Sequence, residues 1–197
     1  GRCCTEADLE YSELLKFAIS APTYNKKYPS KNLSDTRYRK AYVFQEHQEV
    51  AINLKLVSTE EHQYHTYFEM GEVLQPNDIV LRPFKLSLVN GYAKSEKAFK
   101  ENGRVKELQV FLNGIDRGTV TLLDTPLIQQ FEMDFTFFKN DEVTLVPSSF
   151  YKGTKFDDIC ISEIQSSLSQ ITHPSINKTY KVRELWEKGF KLKKSEE

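Results

Sequence analysis

The sequence predicts a mainly β protein built as an antiparallel β-sandwich, and three observations carry that expectation. Aromatic residues make up 12% of the chain, with 13 Phe and 10 Tyr, a usage that suits a pleated, half-buried surface. From Ala41 onward apolar and polar residues alternate in short runs, the period of a strand with one buried face. Turn-forming clusters separate those runs at short, even spacing, which indicates a sandwich rather than strands alternating with long helices.

A chain of 197 residues fits one domain with appendages and can bury a substantial core. The expected division is a helical and extended lead-in over residues 1–29, a sandwich over 30–165, whose limits follow the resemblance described below, and a tail over 166–197 with an amphipathic helix. In the lead-in, Thr5 can cap a short helix with acidic residues in its first turn, followed by an extended segment near Phe17 to Ala21. The next twenty residues are rich in Pro, Asn, Ser and Tyr and read as a connecting loop.

Strands are expected at 42–44 and at 49–58, where Val50, Ile52, Leu54 and Leu56 share a face. Residues 62–70 leave strand and excursion both open. Pro83 splits the run from 78 to 90 into two pieces, because proline removes a ladder donor. Asn113-Gly114 marks a hairpin, Lys139-Asn140-Asp141 a turn between runs at 129–137 and 142–150, and Asp158 to Ile164 a last strand. In the tail, His173-Pro174 breaks the chain. Val182, Leu185, Trp186, Phe190 and Leu192 then fall on roughly one helical face with basic residues opposite. Such a helix can dock on the sandwich or on a partner.

Lys plus Arg (27) nearly balances Asp plus Glu (28), so no global field favours nucleic acid or an anionic membrane. No apolar run is long enough to span a bilayer. Three cysteines are too few for a disulfide framework. Cys160 reads as a small core hydrophobe, with a bridge to Cys3 or Cys4 left open. The start, Gly1-Arg2-Cys3-Cys4, reads either as the stub of a lipoprotein or as two incidental thiols, and Arg2 is a poor context for lipidation. His62 and His65 lack zinc spacing. The sequence shows no phosphate loop, dinucleotide glycine fingerprint, nucleophile elbow or paired-cysteine motif. These absences argue against catalysis, so no catalytic residue, metal or cofactor is expected, and a hydrolase built from Asp157, Asp158 and Glu163 is the disfavoured alternative.

The segment NGYAKSEKAFKENGRVKEL at 90–108 runs from an apolar strand through a Gly-Tyr turn into a basic loop and a further strand. Tyr92 offers a ring for stacking on the apolar face of a sugar. Lys94 and Lys97 offer donors to hydroxyls, carboxylates or sulfates, and loops on a rigid scaffold commonly carry function. These three are the candidate ligand-binding residues. The alternative is that Tyr92 pins the loop to the core and the lysines are merely solvated. For Phe99 the pinning role is the expectation.

Together with YKGTKFDDICISEI at 151–164, this segment resembles the NADase-type glycan-binding domain family, a bacterial relative of discoidin domains. The resemblance spans roughly residues 30–165 and begins at SKNLSDTRYRKAYVF, where a family tryptophan is replaced near Tyr42 and a glycine-rich run is missing. It implies a discoidin-like jelly roll, with short helical segments at both termini. Asn102, Arg104, Asp157, Asp158 and Glu163 match family positions. They are expected to be structural, since an Arg–carboxylate pair can clamp loop to sandwich and Asp157-Asp158 falls short of the six to eight oxygens calcium takes.

The resemblance further implies a non-catalytic module, secreted or at the cell surface, that recognises a glycan or a host or envelope component through loops at one end. Membrane association would come only through a lipid anchor. The competing expectation is a protein-interaction module that uses the basic carboxy-terminal helix.

Overall fold

The computed structural model describes residues 15–35, 40–58, 80–81 and 83–166. The expected terminal helices, the histidine-containing stretch at 62–70, Cys3, Cys4 and the amphipathic tail lie outside these residues.

Eleven strands are described: β1 (Leu15–Ser20), β2 (Tyr42–Gln45), β3 (Ile52–Ser58), β4 (Val80–Leu81), β5 (Phe84–Asn90), β6 (Gly103–Leu112), β7 (Ile115–Thr121), β8 (Gln129–Met133), β9 (Phe137–Phe138), β10 (Glu142–Tyr151) and β11 (Asp158–Gln165). Between β1 and β2 lies one 3-10 turn, Ser30–Ser34. Between β5 and β6 lies one short helix, α1 (Glu96–Glu101).

The sheet runs β1-β3-β10-β6-β11-β5-β8, with β2 also paired to β11 and β7 to β6. Among the described strands every pairing is antiparallel except a two-residue parallel contact, where Ile159 and Cys160 of β11 face Gly103 and Arg104 of β6. At that contact the sheet folds over. Inward side chains from β1, β3, β6 and β10 then share one core with those of β2, β5 and β11, which is the sandwich. The first strand already belongs to it, since β1 pairs with β3 from Leu15 opposite Ser58 to Ser20 opposite Asn53. The sheet thus begins within the stretch the sequence pattern assigns to a lead-in.

The alternation in β3 is the reason it is a strand. Ile52, Leu54 and Leu56 are almost fully buried, together with Val50, while Lys55 and Val57 face solvent. Burying such aliphatic side chains contributes about 1.5–3 kcal/mol each. Pro83 separates β4, which pairs with β9, from β5, which pairs with β8 and β11. Asn113 and Gly114 both adopt positive φ (50° and 79°), the geometry of the tight β6–β7 hairpin. β10 tolerates Pro147 because its register with β6 shifts between Pro147 and Phe150, a bulge where a missing N–H costs little. Around Phe84 the core is aromatic, with Phe135 stacked at 5.0 Å and Phe137 edge-on at 5.4 Å.

Candidate functional site

Strand registers decide which loops meet. β11 starts at Asp158 beside Gln45, the last residue of β2. β5 ends at Asn90 beside Ile161, and β10 ends at Tyr151 beside Arg104 near the start of β6. The turn at 46–51, the segment at 91–102 and the loop at 152–157 therefore gather at one end of the sandwich. Leu15 lies opposite Ser58 and Gln165 opposite Ser87, both at the other end. The described chain enters and leaves away from these loops.

The 91–102 segment is fastened at each step. Asn90 replaces a missing strand neighbour: its Nδ2 donates to Val105 O (2.7 Å) and its Oδ1 accepts from Val105 N (3.1 Å). Ser162 Oγ of β11 donates to Gly91 O (2.7 Å) and accepts from Ala93 N (3.0 Å). Gly91 sits at φ 73°, and a Cβ there would come within 2.6–2.7 Å of Phe99 and Arg104.

The stretch expected as a basic loop contains a helix instead. Ser95 Oγ caps α1 by accepting from Ala98 N (3.0 Å), satisfying a donor that the helix itself cannot. Helical spacing then pairs Lys97 with Glu101 (3.9 Å) and Lys100 with Glu96 (3.1 Å). Lys97 thus shares its charge with a carboxylate. Lys94, before the helix, lies with its ammonium 5.3 Å from the centre of the Tyr92 ring.

The matched polar residues separate into distinct roles. Asn102 ends α1, its Nδ2 donating to Ala98 O (2.8 Å). Arg104 is buried, with its guanidinium 4.9 Å from the Phe99 ring. Its Nη1 donates to Phe99 O (3.2 Å) and Asn102 O (3.1 Å). Its carboxylate partner is Asp124, after β7, gripped at both oxygens (Nε–Oδ1 2.8 Å, Nη2–Oδ2 3.1 Å), rather than a carboxylate of β11. Glu163 is fully buried and accepts from Gln165 Nε2. Asp157 is exposed and Asp158 half-buried. Burial, then the neighbouring Asp157 charge, pushes the Asp158 carboxyl above its usual range, against a lowering hydrogen bond from its own backbone. Phe99 is buried beneath Arg104.

Tyr92, Lys94 and Lys97 line one cleft of about 400 Å³, with Tyr28, Glu101, Asn102, Phe156 and Asp158. Tyr92 is half-buried against Val43, Ala41 and Cys160 and meets Tyr28 edge-on at 6.0 Å. Burial raises the Tyr92 hydroxyl pKa, with further increments from Tyr28 and Cys160, so the phenol stays protonated. Cys160 is a buried free thiol whose pKa burial pushes well up.

A second cleft of about 480 Å³ adjoins the first and is lined by Gln45, Glu46, His47, Lys152 and Asp157 among others. Phe156 lines both clefts and is 43% exposed. Its backbone is nonetheless held: Thr154 N donates to Lys100 O (3.0 Å), and Lys155 N (3.2 Å) and Phe156 N (2.9 Å) donate to Glu101 O. Those are carbonyls the last turn of α1 leaves unpaired. Gly153 permits the approach, because a Cβ there would collide with Glu101 O and lie 2.6 Å from Asn102 C.

Tyr28, His47, Lys152 and Phe156 are among the lining residues that sequence reasoning did not single out. Phe156 had a signal, since YKGTKF repeats the mixture of aromatic, lysine and glycine seen at 90–100. Tyr28 had none beyond its place in a Tyr-rich loop. Among the described residues no group of three His, Cys, Asp or Glu is placed to hold a metal ion. Among them, too, no helix is long and apolar enough to cross a membrane.

A mainly β sandwich with these loops gathered at one end agrees with the discoidin-like expectation. Residues 70–167 match the family model of the NAD glycohydrolase translocation F5/8 type C domain, and the chain carries a domain of that family. The match includes both motif blocks and excludes the upstream SKNLSDTRYRKAYVF segment. Among solved structures, the chain is similar to the family 32 carbohydrate-binding module of Clostridium perfringens NanJ, solved with galactose, at 10% identity and TM-score 0.47, covering 78% of this chain and 93% of that one. It is also similar to the family 32 carbohydrate-binding module of Streptococcus pneumoniae EndoD, at 8% identity and TM-score 0.49, covering 77% and 93%. A comparison with curated proteins returns no match.

Proposed function

We propose that this protein is a non-catalytic binding module of the extracytoplasmic space that recognises a glycan on a host or envelope surface through the loop end of its sandwich. The observation that carries this reading is the Tyr92 cleft. It combines aromatic side chains, exposed amines and carboxylates on a backbone fixed by Asn90, Ser162 and the Ser95 cap. A site held in place before binding loses little conformational entropy on association. Rings supply stacking surface while Lys94, Lys97 and the acidic groups supply hydrogen bonds to hydroxyls.

The test is a glycan-array and extracellular-matrix binding screen at two salt concentrations, with the protein and its Tyr92, Lys94 and Lys97 triple alanine variant. Binding should be lost in the folded variant. An acidic ligand should weaken as salt screens exposed lysines, whose field decays over about 10 Å at 0.1 M. A neutral sugar should be insensitive to salt and suffer more from Tyr92→Ala than from Lys94→Ala. Full binding by the folded triple variant would move the site elsewhere.

A further inference from the structure

The two clefts meet at one ring, and that junction bears on the size of the ligand. Phe156 is exposed although the protein spends three backbone hydrogen bonds and a glycine on fixing the loop that carries it. An apolar ring left in water forgoes its burial free energy, so a ligand laid across this ring would gain by covering it. Lys155 places its ammonium 5.2 Å from the centre of the Phe156 ring, so this ring too has a cation beside it. Consecutive residues divide between the clefts, with Asp157 lining the second and Asp158 the first. Each side of Phe156 thus has its own carboxylate and its own lysine, Lys152 on one side and Lys94 on the other.

We propose that Phe156 is a shared platform between two adjoining subsites, and that the ligand is an oligosaccharide of at least two residues crossing it. One residue sits in the Tyr92 cleft and the next in the cleft of His47 and Lys152. This inference rests on the glycan reading above and specifies its ligand: a chain rather than a single terminal sugar. A monosaccharide fills one cleft and leaves Phe156 partly in water, whereas a longer chain covers the ring and reaches Lys152 and His47.

The experiment is calorimetric titration of the full chain with two length series. One is N-acetyllactosamine as one, two and three repeats together with free galactose, and the other is hyaluronan fragments of two, four and six residues. Affinity should rise roughly tenfold when the ligand becomes long enough to cross Phe156, the step a single well-placed contact gives, and then level off. Phe156→Ala should erase that step. Lys152→Ala and His47→Ala, both at exposed positions, should weaken only the longer ligands. Affinity independent of length, or a step that survives Phe156→Ala with the thermal midpoint unchanged, overturns the two-subsite proposal while leaving Tyr92→Ala sensitivity intact. Failure of every ligand, or affinities indifferent to Tyr92→Ala, instead overturns the glycan reading and this proposal with it. Capture of phosphatidylserine vesicles through Phe156, with no oligosaccharide bound, would assign the ring to a membrane and has the same consequence.

Discussion

Arg104 shows how a single side chain sets the geometry of the loop end. It ties β6 to Asp124, holds two carbonyls at the end of α1 and covers Phe99. Arg104→Ala strands the carboxylate and the carbonyls together, and is expected to cost roughly 3 kcal/mol in urea unfolding. Arg104→Lys should recover only part, because an ammonium cannot grip both oxygens of Asp124. A loss below about 1 kcal/mol in Arg104→Ala would show the clamp to be dispensable. The sequence made Arg104 visible as a clamp but not its partner. Asp124 is twenty residues away beyond the hairpin, and nothing local distinguishes it from Asp157 or Asp158. Asp158 carries a pH signature. Its folded pKa is raised by burial, so the folded state holds the proton more tightly than the unfolded chain, and stability rises as pH falls through that raised value. Asp158→Asn should therefore stabilise the protein at neutral pH, by less than about 1 kcal/mol because the group is half-exposed and screened. The gain should shrink on acidification and be absent below about pH 3, where both forms of the chain are protonated. Thermal midpoints of the two proteins across pH 3 to 7 check this, and a constant difference would contradict it.

At the scale of elements, α1 and the 152–157 loop work as one unit. Ser95→Ala removes the cap and should cost about 1 kcal/mol, with Ser95→Asp restoring most of it. Gly153→Ala drives a Cβ into Glu101 O and the Asn102 backbone. It should speed amide exchange at Thr154 and Phe156 well beyond that of the β6 amides, and unchanged exchange at these two positions would argue against the coupling. Strands and turns were legible where local chemistry decides them. Asn113-Gly114 needs positive φ, Pro83 cannot donate to a ladder, and Val50, Ile52, Leu54 and Leu56 alternate over a long run. The helix is masked in the sequence because the lysines of 94–100 read as a charged loop, although Ser95 ahead of EKAFKE is the cap that marks a helix start. β1 lies next to a loop-rich segment, and its pairing with β3 spans about forty residues, a relation no local pattern encodes.

Across the whole molecule, the parallel contact of Ile159 and Cys160 with Gly103 and Arg104 brings the loops together. It puts the start of β11 beside the start of β6, and so sets Asp158, Phe156 and α1 around one opening. The family resemblance made the sandwich legible, and the 92–97 candidates do line a cleft. The sharing of Phe156 between two clefts was not legible, because it depends on a loop folding back onto the end of a helix fifty residues earlier. The measurement that tests the central claim most directly is residue-resolved NMR titration of the folded protein with the tightest oligosaccharide from the length series. Amide shifts should concentrate at Tyr28, at 92–97 and at 152–158, with His47 and Gln45 joining as the ligand lengthens. Shifts confined to β7, or to the end where Leu15 and Gln165 lie, would contradict the account.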